Sequence, residues 1–244
     1  MRNNLPIINV YKKKNIKSEI VTQLLFGDKF KKIKKNKNWL RIKNKSDNYL
    51  GYINNKNFPA SQNNTHKIYV LSAHLYSKPN KKKKLKNKLS FGSRIKVIKK
   101  IKNFYKFDEF WIEKKNLKTI NFKYTNPFRD IKKFLNVKYN WGGKSFKGVD
   151  CSGLVQLFLN FNNEFCPRDA KDQIKYFKKN IKLKDIMKND LIFWRGHVAI
   201  AISKNKLIHA YGPLKKTVIM SVSKTIKRIY KTTKLKVTGI KRIN

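Results

Sequence analysis

The sequence predicts an α+β protein with small all-β units in front and a unit of helices followed by an antiparallel sheet behind. Three observations carry this reading. Over the first 120 residues, short strand-like segments alternate with polar turns and helical periodicity is almost absent, the pattern of small barrels. From about Asn121 the pattern changes to helices and then strands, which is the order of an α+β unit. Two stretches of the front half also resemble each other, each with a Phe-Gly turn ahead of an alternating strand.

The first of these stretches, Glu19 to Ile53, holds an apolar strand, the turn Phe26-Gly27-Asp28, a basic strand, then Asn38-Trp39-Leu40 and Gly51-Tyr52-Ile53. The second, His66 to Ile120, runs through Ala73 to Pro79, the turn Phe91-Gly92-Ser93, the strand Ile95-Lys96-Val97, and Phe110-Trp111-Ile112. A tryptophan follows 12 residues after Gly27 and 19 after Gly92. The pair resembles tandem bacterial SH3-like domains, expected over residues 1–60 and 66–120 with a linker in the asparagine-rich stretch Asn54 to Thr65. Residues 121–244 form the third unit. There Pro127 to Leu135 reads as a helix, Tyr139 to Gly148 as a glycine-rich loop, and Asp169 to Lys179 as a further helix. Asp190 to Trp194, His197 to Ser203, Leu207 to Tyr211 and Thr217 to Val222 read as strands.

Within this unit Leu154, Leu157, Phe158 and Phe161 recur at the i, i+3, i+4, i+7 spacing of one buried helix face, which puts Cys151 in the first turn. Unpaired backbone N–H groups and the positive end of the helix dipole are then expected to favour its thiolate. A cysteine nucleophile needs a base, and histidine serves at neutral pH. His197 opens the apolar run His197 to Ile202, and His209 lies in the next strand. A three-residue turn centred on Lys204 places Ala199 opposite His209 and both histidines on one sheet face, where His209 accepts the Nδ1 proton of His197. A half-step shift places them on opposite faces.

Of the 244 residues, 60 are Lys or Arg and 13 are Asp or Glu, for a formal net charge of +47. Lysine, asparagine and isoleucine are all abundant, so the excess reads as compositional drift with only nonspecific attraction to polyanions, and no specific nucleic-acid partner is expected. Two cysteines are too few for a disulfide framework, and Cys166 reads as a core or loop thiol in a reducing compartment. Leu5 to Val10 is too short for a signal-peptide core and no 18-residue apolar span exists, so the expectation is a cytoplasmic protein without a membrane partner. No metal-ligand spacing, phosphate loop or dinucleotide fingerprint is present, and no cofactor is expected. Nothing in the sequence specifies an oligomeric state.

Several ordered motifs carry a family resemblance. Tyr139-Asn140-Trp141-Gly142-Gly143, Asp150 to Gln156, Pro167-Arg168-Asp169 with Gln173, Asn189 to Trp194, Gly196 to Ile200 and Ile208-His209-Ala210 resemble the NlpC-type cell-wall cysteine peptidases, whose catalytic fold is papain-like. With SH3-like domains in front, the chain is similar to the γ-D-glutamyl-L-diamino acid endopeptidases of that family. Asn189 stands where the family often has glycine, a turn position that asparagine tolerates through left-handed backbone angles.

The resemblance implies that Cys151 attacks the γ-D-Glu to diaminopimelate (or lysine) bond, that His197 is base and acid, and that His209 orients it. It implies that Tyr139 donates to the oxyanion, and that Asp150, Ser152, Arg168 and Asp169 line the substrate pocket. Asp28 and Tyr49 are the candidates in the first SH3-like domain for holding the free amine of L-Ala. The implied function is cleavage of free murein peptides in recycling. The alternatives are an exported hydrolase of the intact wall and a basic binding protein whose catalytic fold is silent.

Overall fold

The structure, a computed structural model, describes residues 1–243. Its first unit is one antiparallel sheet of five strands: β1 (Ile7–Tyr11), β2 (Ile20–Leu25), β3 (Phe30–Asn36), β4 (Trp39–Asn44) and β5 (Leu50–Asn54), in the order β2-β1-β5-β4-β3. Alternation along β4, where Leu40 and Ile42 are buried between exposed Arg41 and Lys43, turns one face inward onto Val10, Leu24, Phe30 and Ile53. The second unit comprises β6 (His66–Ile68), β7 (Ser72–Tyr76), β8 (Lys84–Ser90), β9 (Arg94–Ile95), β10 (Lys99–Ile101), β11 (Phe104–Phe107), β12 (Phe110–Glu113) and β13 (Leu117–Thr119). These form the sheets β10-β11-β12-β7-β8 and β13-β6-β9.

The third unit begins with the hairpin β14 (Lys144–Ser145) and β15 (Gly148–Val149), then α1 (Cys151–Phe161) and α2 (Ala170–Tyr176). It continues with β16 (Lys179–Asn180), β17 (Leu191–Trp194), β18 (His197–Ala201), β19 (Lys206–Tyr211), β20 (Lys216–Ser221), α3 (Val222–Thr233) and β21 (Gly239–Arg242). The six strands form one sheet in the order β16-β21-β17-β18-β19-β20. One sheet face packs Val198, Ile200, Ile208 and Ala210 with α1, while the other packs Ala199, Ala201, Leu207 and Tyr211 with Val222 and Ile229 of α3. Burial on both faces explains why β18 shows no polar alternation. Asn189 adopts the left-handed conformation, φ 76°, at the turn into β17.

Two expectations are corrected. Pro127 to Leu135 is a series of turns ending in the 3₁₀ segment Ile131–Phe134, because nine residues without a side-chain N-cap give too little helix to offset its nucleation. The helix expected over Asp169 to Lys179 stops at Tyr176, since Phe177 is extended and Lys179 and Asn180 pair with β21. No described helix is long and apolar enough to cross a membrane.

The repeated Phe-Gly turns join the units. Phe26, from the first unit, is buried in the core of the second, edge-on to Phe107 with 5.3 Å between ring centroids. Phe91, from the second, is buried in the core of the third, stacked on Phe158 (4.7 Å) and Phe161 (4.6 Å). Each glycine sits at positive φ, and a Cβ on Gly27 would stand 1.9 Å from the carbonyl oxygen of Arg94. Replacing Phe91 by alanine removes a wholly buried ring from the junction, so urea unfolding should show a loss of about 3–5 kcal/mol. Ile98→Ala at an exposed site should stay within about 0.5 kcal/mol.

Candidate active site

Asp150 ends the loop from Tyr139 and caps α1. Its Oδ1 accepts from the backbone N–H of Gly153 at 2.7 Å, and its Oδ2 accepts from Gly142 N–H at 2.8 Å. Arg168 closes on the same carboxylate, Nη1 donating to Oδ1 at 3.0 Å and Nη2 to Oδ2 at 2.6 Å. The guanidinium also donates from Nη1 to Ser152 Oγ (3.0 Å) and from Nε to Thr22 Oγ1 of the first unit (2.9 Å). Four of its five N–H groups are thus engaged. Arg168 stands in the wall of the cavity beside Cys151, where it is expected, but its guanidinium is buried and committed to Asp150, Ser152 and Thr22.

Cys151 follows the cap and lies in the wall of a cavity of about 260 Å³. Its Sγ contacts the carbonyl oxygen of Gly196 at 4.0 Å, placing the sulfur against the residue that precedes His197. Helix-start N–H groups led to the expectation of a thiolate, and the structure reverses it. Burial first, and the Asp150 carboxylate second, push the thiol up to about 12, outweighing the N–H groups of Val198 and Ser152 and the charge of Arg168.

β18 and β19 pair Ile200 with Ile208 and Ala201 with Leu207, a register centred on Lys204 that puts Ala199 level with His209. Both histidines therefore lie on one sheet face, with His197 Nε2 and His209 Nδ1 2.9 Å apart. The nitrogen of His197 that meets His209 is Nε2, not the expected Nδ1, and Nδ1 is left outside that bond. Burial lowers His197 to about 4 and holds His209 lower still, with the neighbouring imidazole as the second cause at His209. Both rings are neutral near pH 7. His209 lies flat on Tyr211 at 4.6 Å and 11°.

The other expected residues divide. Tyr139, Ser152, Asp169 and Tyr49 line the cavity with Cys151. Burial, followed by the nearby Cys151 and Asp150, raises the Tyr139 phenol above its ordinary range and keeps its hydroxyl a donor. Tyr49 reaches in from the turn between β4 and β5 and donates to Asp169 Oδ2 at 3.1 Å. Asp28 lies elsewhere: it accepts from the N–H of Leu25 at 2.8 Å, faces Lys144 Nζ at 3.6 Å, and holds its own turn outside the cavity wall. The carboxylate that the first unit does bring to the cavity is Glu19, accepting from Trp141 Nε1 at 2.8 Å and Lys12 Nζ at 3.0 Å. Sequence reasoning missed it; the one signal was its rarity among 13 acidic residues. Asp150 and Arg168 belong to the same wall, as do Val21, Trp141, Lys171 and Gly196. Among the described residues no cluster could hold a metal ion.

Comparison with known proteins finds similar chains. Residues 136–237 match the model of the NlpC/P60 family, and residues 4–59 match that of the bacterial SH3 domain. The chain is 36% identical over 77 residues to dipeptidyl-peptidase 6 of Lysinibacillus sphaericus, a match covering 32% of this chain and 28% of that protein. It is 35% identical over 101 residues to the γ-D-glutamyl-L-lysine dipeptidyl-peptidase of Bacillus subtilis, covering 38% and 34%. The matched part thus spans about a third of those relatives. The fold is that of an NlpC/P60 family protein from Bacillus cereus, with a TM-score of 0.84 over 99% of this chain and 98% of that one at 18% identity.

Two outcomes follow. Arg168→Met strands the buried Asp150 charge, and equilibrium unfolding should show a loss of about 3–5 kcal/mol. A thiol raised to about 12 is protonated across the neutral range, so iodoacetamide alkylation of Cys151 should quicken about tenfold per pH unit from pH 7 to 9 without levelling. A plateau below pH 8 would reveal a preformed thiolate.

Proposed function

We propose that this chain, whose residues 136–237 match the NlpC/P60 family and residues 4–59 the bacterial SH3 domain, is a cysteine peptidase acting on free murein peptides. It cleaves L-Ala-γ-D-Glu-diamino acid peptides after D-Glu. The observation that carries this reading is the cavity wall, where Cys151 shares some 260 Å³ with Glu19 and Tyr49 of the first unit and with Asp169. The first unit closes the cavity beyond the nucleophile, which suits a short peptide with a free end. Asp169 and Glu19 suit its ammonium group, by charge-assisted hydrogen bonds.

In the reaction, the Cys151 thiol passes its proton to His197 Nδ1 as sulfur attacks the γ-carbonyl carbon. The oxyanion that develops accepts from the Tyr139 hydroxyl and from the backbone N–H of Cys151 at the start of α1. Collapse of the tetrahedral species breaks the C–N bond, His197 returns the proton to the leaving amine, and the dipeptide remains as a thioester. Water, deprotonated by His197, hydrolyses the thioester and frees the thiol. The neutrality of both histidines supports His197 as the acceptor of the thiol proton. Recycled wall peptides inside the cell are the fitting substrates, consistent with relatives named as dipeptidyl-peptidases.

Incubation with L-Ala-γ-D-Glu-diaminopimelate beside its N-acetylated form, followed by mass spectrometry, tests this. The free peptide should be cut to L-Ala-D-Glu, the acetylated form should be cut at least about a hundredfold more slowly because the half-buried Asp169 carboxylate then lacks its cation, and Cys151→Ala should cut neither. Equal cleavage of both peptides removes the amine-anchoring role of Asp169 and Glu19. Cleavage of neither by the native enzyme removes the peptidase reading.

A further inference from the structure

Met220 lies on β20, two residues beyond Val218, which pairs with His209. Residues two apart on a strand share a face, so Met220 is the diagonal neighbour of His209. Its Sδ stands 3.4 Å from His209 Nε2. Met220 is absent from the wall of the Cys151 cavity.

A thioether sulfur has lone pairs and no hydrogen, and can only accept. The contact with Met220 therefore requires the proton of His209 to reside on Nε2. A neutral imidazole carries one N–H, so His209 Nδ1 is a bare acceptor. His197 Nε2, 2.9 Å away, must then be the donor of that bond, and His197 Nδ1 is left with its lone pair. The opposite assignment sets the lone pairs of His209 Nε2 against those of sulfur and puts a hydrogen on His197 Nδ1, where it blocks receipt of the thiol proton. Tyr211, stacked on the His209 ring, holds that ring in the plane the bond requires.

We propose that Met220 is a positioning residue which, through His209, fixes the tautomer of His197 that can accept the proton of Cys151. This rests on His197 being the base. The sulfur acts at the end of a chain of three acceptors: Met220 Sδ for His209, His209 Nδ1 for His197, and His197 Nδ1 for the thiol. No charge is required anywhere along it, which suits a ring as buried as that of His209.

Imidazole nitrogen NMR on the full chain tests the assignment directly. In the native protein Nε2 of both His197 and His209 should be protonated and both Nδ1 atoms bare. Met220→Leu keeps the volume and removes the acceptor; His209 should then populate both tautomers, with kcat falling about tenfold and KM changing less than about twofold, since the wrong tautomer disables the base without touching the peptide. Met220→Gln, whose Oε1 can accept, should restore the single tautomer and most of kcat. A bare Nε2 on His209 in the native protein overturns the proposal, as does a leucine variant that keeps one tautomer and full kcat. The nitrogen signals need no turnover, so the proposal can fail while the peptidase reading stands, and the reverse.

Discussion

The Asp150–Arg168 ion pair is the contact on which the site depends, because it joins four segments at one buried point. Asp150 fixes the start of α1 through Gly153 and the preceding loop through Gly142, while Arg168 fixes the segment before α2 and reaches Thr22 on β2. Burying two charges offsets most of what their attraction gains, so the contribution of the pair is placement rather than net stability. Removing either partner leaves an uncompensated charge beside Cys151. The same carboxylate helps hold that thiol protonated, so the group that positions Cys151 at the start of α1 also raises its thiol.

α1 is held at its far end by the second unit. Lys67, wholly buried, donates from Nζ to the carbonyl oxygens of Phe122 (2.6 Å) and Phe161, and Arg94 Nη2 donates to that of Asn160 at 2.9 Å. Two cations at a helix C-terminus complement its dipole and satisfy carbonyls that the helix leaves unpaired. Burial brings Lys67 down to about 8, a cost that the two carbonyls and the face of the Phe161 ring, 4.6 Å from Nζ, help to offset. The first unit thus governs the start of the catalytic helix and the second its end. The repeated Phe-Gly turns explain how both stay in place: each of the first two units inserts one phenylalanine into the next, both glycines take the left-handed backbone the turn needs, and Gly27 admits the Arg94 carbonyl where no side chain could fit.

What was legible in the sequence was local. The helix behind Cys151 follows from apolar spacing, and the register of His197 against His209 follows from the length of the turn around Lys204, because period-2 strands leave two choices and only one puts both rings together. What depended on other parts of the chain was not. The thiol state of Cys151 could not be read from a helix start, since its burial comes from packing against β18. Asp28 and Glu19 are both acidic residues of the first unit, and only the docking of β2 against the Gly142 loop distinguishes them: a Cβ on Gly142 would stand 2.2 Å from the Ile20 carbonyl oxygen, which brings neighbouring Glu19 to Trp141. α3 was missed because its three buried positions, Val222, Thr225 and Ile229, are spread among lysines and threonines. Its apolar stripe is narrow.

The lysine excess and the cavity obey different ranges of the same force. A net charge of +47 ought to repel an ammonium group, yet the wall around Cys151 carries Glu19, Asp150 and Asp169 against Arg168 and Lys171. Lysines along β3 and in the Lys81 to Lys84 run stand in solvent, where salt screens them within about 8 Å at physiological ionic strength. At the buried Asp150 and Arg168 and the half-buried Asp169 screening is weaker, and the nearest groups decide. Arg168 is neutralised by Asp150, while Asp169 is raised by its burial and by Asp172 even though Arg168 and Tyr49 oppose this. A carboxylate so placed gains most from an approaching cation, because the cation relieves the penalty that burial imposes. The basic composition of the outer surface therefore leaves the local field of the cavity to the carboxylates on its wall and their partners.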